Sequence, residues 1–398
     1  MNPSNPSCLP FEILKRICDE VSLTSRESLK SCSLASHAFL HLSRRHLFQK
    51  VTLSIQPNGS SIDNPHFSEL IPFLVQNANI LSTIRVVRIQ RRPSAKPSPL
   101  NSTWSSATKL LSQLLEKVDN RGLQRLAIVS SFLADWTTLD KGLRSVLLRY
   151  CHIATLHHLE LLYMSVSKQE LLSFVQVPKV SLSGMSVLSH NLDQDTSAPE
   201  TQIPSLESRL RELSVTHRFP NLDSDIWSIL EEASGTLETL ACLSSPHHGP
   251  SSTVNPLYTL DLKPLPRLPH LKSLTFCLSL DRLSIERSTR LLEGVFTPSR
   301  VEILEICCDF QVPPSRSELA GWGFDALDAV LAGAALNCLQ QVRVTMKEVA
   351  LALSAPLSSN LDPAALRAMD LGIFRTYLPR TSAKGIIVGV EEDCSGAG

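Results

Sequence analysis

The sequence predicts an α/β fold, in which three short N-terminal helices precede an irregular, solenoid-like array of strands and helices. Two observations carry this expectation. The first fifty residues hold apolar side chains at three- and four-residue spacing in short separate runs. Beyond them, a motif with apolar residues at its first, fourth and sixth positions recurs about every thirty residues, and helix-patterned segments lead into most of its copies.

The run LPFEILKRICDEV sets Leu9, Ile13, Leu14, Ile17 and Val21 on one helical face, with Lys15, Arg16, Asp19 and Glu20 opposite. Pro10 suits a first turn, where its missing N–H is no loss. Thr24 followed by Glu27 reads as a capping box that opens a second helix, running to about Cys32. Leu34, Ala35, Ala38, Phe39 and Leu42 predict a third helix, and Arg44 and Arg45 suit its C-terminal end. Three helices this short cannot bury all their apolar faces among themselves. Some of that surface needs a partner.

LPFEILKRICDEV together with SLKSCSLASHAFLHLSRRHLF resembles an F-box of the kind common among fungal F-box proteins. The Leu-Pro start, the Glu12-Ile13-Leu14 core, the Cys32-Ser33-Leu34 step and the Arg44 to Phe48 ending carry the resemblance. Ala35 and His37 depart from it, standing where a larger aliphatic and a longer basic side chain are frequent. The resemblance implies docking on a Skp-type adaptor, which links such proteins to a cullin-RING ubiquitin ligase. It implies Leu9, Pro10, Ile13, Leu14, Ile17 and Leu34 as the docking positions. The alternative reading of the same residues is a plain helical cap on the array.

Copies of the recurring motif begin at Phe48, Leu81, Leu123, Leu156, Val177, Leu210, Leu237, Leu271, Val301 and Leu339. LQRLAI, LHHLEL, LRELSV, LETLAC and LKSLTF are the clearest. Helical patterning covers 107–118, 139–150, 168–175, 224–234, 284–295 and 324–337. The alternation resembles a leucine-rich-repeat solenoid, in which each unit buries its strand and helix only by stacking on neighbours. The Asn or Cys usual at the ninth repeat position is absent, and Ile89, Ser131, Met164, Met185, Arg218 and Lys347 stand among those places. The array is therefore irregular, and a non-solenoid α/β domain is the alternative.

The expected organisation is a helical domain over 9–53, the array over 54–349, a C-terminal cap over 350–390 and a mobile tail over 391–398. Within the cap, 363–369 reads as a helix and 385–390 as a last strand. Ser- and Pro-rich stretches at 91–106, 184–205, 244–256 and 311–317 read as surface loops. If the first, fourth and sixth motif residues point inward, strand alternation sends the third, fifth and seventh to the opposite, concave face. That register selects Arg85, Arg125, His158, Glu160, Lys179, Glu212, Glu305 and Arg343 as candidate target-binding residues.

Lys plus Arg and Asp plus Glu both number 38, so no net field draws the chain to nucleic acid or to an acidic membrane. The start MNPSNPSCLP lacks the pattern of a signal peptide, and no apolar run approaches the ~20 residues needed to span a bilayer. The ten cysteines are scattered without a C-x-x-C pair, which suits a reducing, cytoplasmic or nuclear setting. No P-loop, dinucleotide fingerprint or G-x-S-x-G elbow occurs. His157-His158 would point to opposite sides of a strand, and His247-His248 lie in a Pro/Ser loop without acidic or Cys neighbours. No metal, cofactor or catalytic residue is expected. The expectation is a non-enzymatic substrate-recognition adaptor of an SCF-type ligase, holding a protein target of unknown identity. A binding scaffold outside a ligase, or a hydrolase with a scattered site, are the competing readings.

Overall fold

The computed structural model describes residues 9–55, 65–91, 101–118, 122–187, 208–217, 223–244, 268–279, 286, 289, 292, 300–310, 323–333, 336–348 and 378–392. The chain divides into two compact units, Met1–Glu160 and Leu161–Gly398.

The first unit opens with α1 (Phe11–Thr24), α2 (Arg26–Ala35) and α3 (His37–Leu47). Pro10 precedes α1, and its carbonyl accepts from the Ile13 and Leu14 N–H groups. Helix α2 has a plain N-cap in place of the capping box that the spacing predicts. Thr24 closes α1 with its hydroxyl on Val21 O, while Ser25 caps α2 by accepting from the Ser28 N–H. Glu27 instead pairs with Lys30 at 2.7 Å. Ser36 caps α3 by accepting from the Phe39 N–H, so Leu34 and Ala35 end α2 and do not begin α3. A serine outside the helix wins because its short hydroxyl reaches back to the free N–H groups of the first turn. The cluster's buried centre is small: Cys18, Leu29 and Ser43, with Cys18 Sγ 3.7 Å from Ser43 Oγ. His46 Nε2 lies 2.9 Å from Asp19 Oδ1 and ties α3 to α1.

From α3 the chain enters β1 (Lys50–Ile55), then α4 (Pro65–Gln76), α5 (Ala78–Leu81), β2 (Val86–Arg91), α6 (Asn101–Lys117) and β3 (Arg125–Asp135). A 3-10 turn at Trp136–Thr138 leads to α7 (Lys141–Cys151), and β4 (His158–Val166) contributes His158, Leu159 and Glu160 to this unit. Helix α6 begins six residues before the expected start at 107, inside a stretch the composition marks as loop. Ser and Thr are tolerated in a first helical turn, where they can serve backbone donors. Strand β2 pairs in parallel with β1 and with β3, with Val86 opposite both Lys50 and Arg125.

That pairing corrects one repeat. The second copy is framed on Ile84, Val87 and Ile89, all fully buried, and not on Leu81, which ends α5. Both frames satisfy the apolar spacing. The sheet register selects between them, because Val87 must lie level with the buried Val51 and Leu126.

The second unit contains the remainder of β4, α8 (Lys168–Ser173), β5 (Lys179–Ser183), β6 (Ser186–Val187), β7 (Glu212–His217), α9 (Asp223–Glu232) and β8 (Thr239–Ser244). It continues through β9 (Ser273–Ser279), β10 (Ile303–Phe310), α10 (Phe324–Leu331), β11 (Gln341–Glu348), α11 (Pro379–Ala383) and β12 (Ile387–Glu392). Strands pair in parallel in the order β5-β7-β8-β9-β10-β11-β12, and β6 pairs with the end of β4. Between β9 and β10, Glu286, Thr289 and Leu292 are helical, within the segment expected to be so. The strand expected at 385–390 is β12. Residues 391 and 392 of the expected tail belong to β12; its remainder, the expected helix at 363–369, His247-His248 and most of the Ser/Pro loops lie outside the described residues.

Two regularities recur within each unit. Fourth- and sixth-position side chains are buried strand after strand: Val51 and Leu53, Val180 and Leu182, Leu213 and Val215, Leu274 and Phe276, Val342 and Val344. Helix faces complete the core, with Leu143, Val146, Leu147 and Tyr150 of α7, and Phe324, Leu327 and Leu331 of α10. At the strand entrance, a single carbonyl accepts two N–H groups from the next strand's second and third motif residues. Gln49 O takes Arg85 and Val86, Arg85 O takes Gln124 and Arg125, and Gln124 O takes His157 and His158. In the second unit Pro178, Arg211, Glu238, Lys272 and Glu302 repeat the pattern. This stitch uses only backbone, so it imposes no residue type and tolerates an irregular sequence.

Candidate functional site: an apolar helix face and a charged sheet face

Burial of so few residues in α1–α3 leaves large apolar side chains outside. Leu9 is 55% exposed, Ile13 45% and Leu34 86%, while Pro10 is exposed and Leu14 and Ile17 are half-buried. Ile13 and Ile17 sit one helical turn apart on α1, and Leu9 lies one further turn before Ile13 in spacing. Leu34 stands on a different helix, near the end of α2. Phe11 at 56% and Leu23 at 82% join the exposed set and were not among the expected docking positions. Single exposed apolar side chains are ordinary, and here five large ones fall between residues 9 and 34.

The second surface is the side of the sheet opposite the buried fourth and sixth positions. Arg125 begins β3 and donates to Glu160 Oε2 at 2.6 Å, and Arg88 Nη1 approaches Glu160 Oε1 at 3.8 Å. Glu160 is only 13% exposed, so this carboxylate is held between two guanidiniums. Ala127 is the register neighbour of Arg88, and its buried methyl leaves room for the pair to span β3. His158 is half-buried at the start of β4. In the second unit Lys179 and Glu212 pair at 2.5 Å from adjacent strands, Glu305 accepts from Thr275 Oγ1 at 3.1 Å, and Arg343 donates to Gln341 Oε1 at 3.2 Å.

Two expectations change on this face. Arg85 is not on a strand: it precedes β2, its guanidinium donating to the Ser82 and Ile84 carbonyls. The residue at the equivalent sheet position is Arg88, missed because the copy was framed three residues early. The charges, moreover, do not form a row of independent contacts, since Arg125 engages Glu160 and Lys179 engages Glu212. A further row at the second motif position was also missed. There Glu238 lies 2.8 Å from Lys272 and 3.9 Å from Arg211. The Lys272 hydrogen bond and charge hold the Glu238 carboxyl below its usual range.

Among the described residues, no group of three His, Cys, Asp or Glu side chains is arranged to hold a metal ion. No helix among them is long and apolar enough to cross a membrane. Burial pushes the Cys151 thiol up to about 12, which suits packing more than reactivity. No protein-family model matches the chain, and no curated protein matches it.

Proposed function

We propose that the chain is a substrate-recognition adaptor of a cullin-RING ubiquitin ligase. In this reading α1–α3 act as an F-box that docks on a Skp-type adaptor. The strand–helix array is a leucine-rich-repeat-like solenoid that holds a protein target. The observation that carries the reading is the exposure of Leu9, Phe11, Ile13, Leu23 and Leu34 on a module whose own buried centre is Cys18, Leu29 and Ser43. Exposed apolar area of that kind gains roughly 25 cal/mol per Å² when a partner covers it. The chain supplies no catalytic group; holding a target beside a ubiquitin-charged enzyme raises effective concentration, and that alone drives transfer. The role implies a cytoplasmic or nuclear setting.

Co-purification of the full chain tests this. The wild type should bring down the Skp-type adaptor and a cullin. Each apolar anchor typically contributes about 2 kcal/mol, or about thirtyfold in affinity, so Leu9→Ser with Ile13→Ser should abolish capture. Both side chains are already half-exposed, so the melting temperature should not fall. Undiminished capture by the double variant sinks the docking claim. Adaptor without cullin in the eluate would make the protein a scaffold outside the ligase.

A further inference from the structure

On the face opposite the core, the charges of the first unit are unbalanced. At the third and fifth motif positions of β1 to β4, the cations are Lys50, Arg88 and Arg125, against the single carboxylate Glu160 among the described residues. Lys50 is exposed, Arg88 is 32% exposed and Arg125 43%. The remaining positions hold Thr52, Val86, Ala127 and His158, none of which is an acid. Arg85 adds a further cation at the strand entrance. The face is thus a local basic field on a chain whose overall charge is zero.

The Glu160 carboxylate is a guide to what such a face binds. Its two oxygens reach one hydrogen bond, from Arg125, and one longer ion-pair contact, from Arg88. A guanidinium carries five N–H donors in a fixed plane, so one shared carboxylate leaves most of this donor capacity to solvent. Glu160 acts as an internal placeholder, ordering both arginines while neutralising only part of their charge.

We infer that this face receives an acidic peptide segment of the target, whose Asp or Glu side chains engage Arg88, Arg125 and Lys50. The inference rests on the reading of the array as the target-holding part, and names the chemistry of what it holds. Carboxylates suit it because planar guanidiniums accept them side-on, and because complementary charge steers encounter and fixes register.

Fluorescence anisotropy with the full chain and a labelled ten-residue glutamate peptide tests the assignment, with a ten-residue thymidine oligonucleotide alongside. The peptide should bind, and binding should weaken with salt. Arg88→Gln with Arg125→Gln should weaken it at least about tenfold, whereas Arg88→Lys with Arg125→Lys, which keeps the charge and loses the planar fork, should fall between. Glu160→Gln should tighten binding several-fold by removing the internal competitor. Lys141→Gln, exposed on α7, should change nothing. Three results overturn the assignment: no peptide binding, equal loss in the Gln and Lys pairs, or an oligonucleotide that binds as tightly and depends on the same arginines. Adaptor capture, measured on the same preparations, depends on α1 and reports separately on the proposed function.

Discussion

Strand β4 shows at residue scale how a local irregularity is held in place. Leu159, Leu161 and Met164 are buried, and Leu162 and Tyr163 occupy the space of one outward residue between the last two. Tyr163 has φ +56°, so the strand bulges there. Its ring lies over Gly184, which has φ +58° and whose N–H donates to Thr216 O. Any side chain at 184 meets both a left-handed backbone and the aromatic ring. Gly184→Ala should therefore destabilise the protein by roughly 2–4 kcal/mol, seen as a lower urea midpoint. An unchanged midpoint would mean that the Tyr163 ring turns aside at no cost. The sequence marks Gly184 only as the start of a loop; its requirement comes from a residue on another strand.

At the scale of the element, α11 is too short to be stable alone and has no capping side chain of its own, since Leu378 precedes Pro379. Its cap comes from α10. Asp328, 2% exposed, accepts from the Arg380 and Thr381 N–H groups at 2.9 Å each and from Thr381 Oγ1 at 2.6 Å. These are free donors of a first helical turn, and a buried carboxylate satisfies them together. Asp328→Ala leaves the buried Thr381 N–H and hydroxyl without an acceptor, at about 1–3 kcal/mol for each. The expected result is faster amide hydrogen exchange over 378–392, where α11 and β12 lie, with β5 and β7 unaffected. Asp328→Asn, which keeps one acceptor oxygen, should fall between. Exchange that rises evenly across the second unit would show that the cap supports more than the C-terminal elements.

For the whole molecule, 38 basic and 38 acidic residues give zero formal charge near neutrality. Nothing in that balance keeps molecules apart, and the N-terminal helices add exposed apolar side chains. Solubility should be lowest near pH 7 and rise on either side, measured by polyethylene-glycol precipitation. Replacing Leu9 and Ile13 by serine should raise it at the minimum. A flat solubility profile would indicate that local fields, such as the basic face around Arg88 and Arg125, outweigh the net charge.

The alternation of strand and helix, the apolar fourth and sixth positions and the unburied surface of the first helices were all legible in the sequence. Each depends on periodicity within one segment, and periodicity survives without knowledge of neighbours. Three things required tertiary structure. The frame of the second repeat was ambiguous between Leu81 and Ile84 until β1 and β3 fixed the level of Val87. The charges on the sheet face were readable as types and not as pairs, because Arg125 and Glu160 lie 35 positions apart. The Asp328 cap joins residues 52 and 53 positions apart, and no local pattern announces it. Segment-level preferences come from each residue's own geometry. Register, pairing and capping across elements come from which backbones the packed core brings level, and that is decided only when the elements pack.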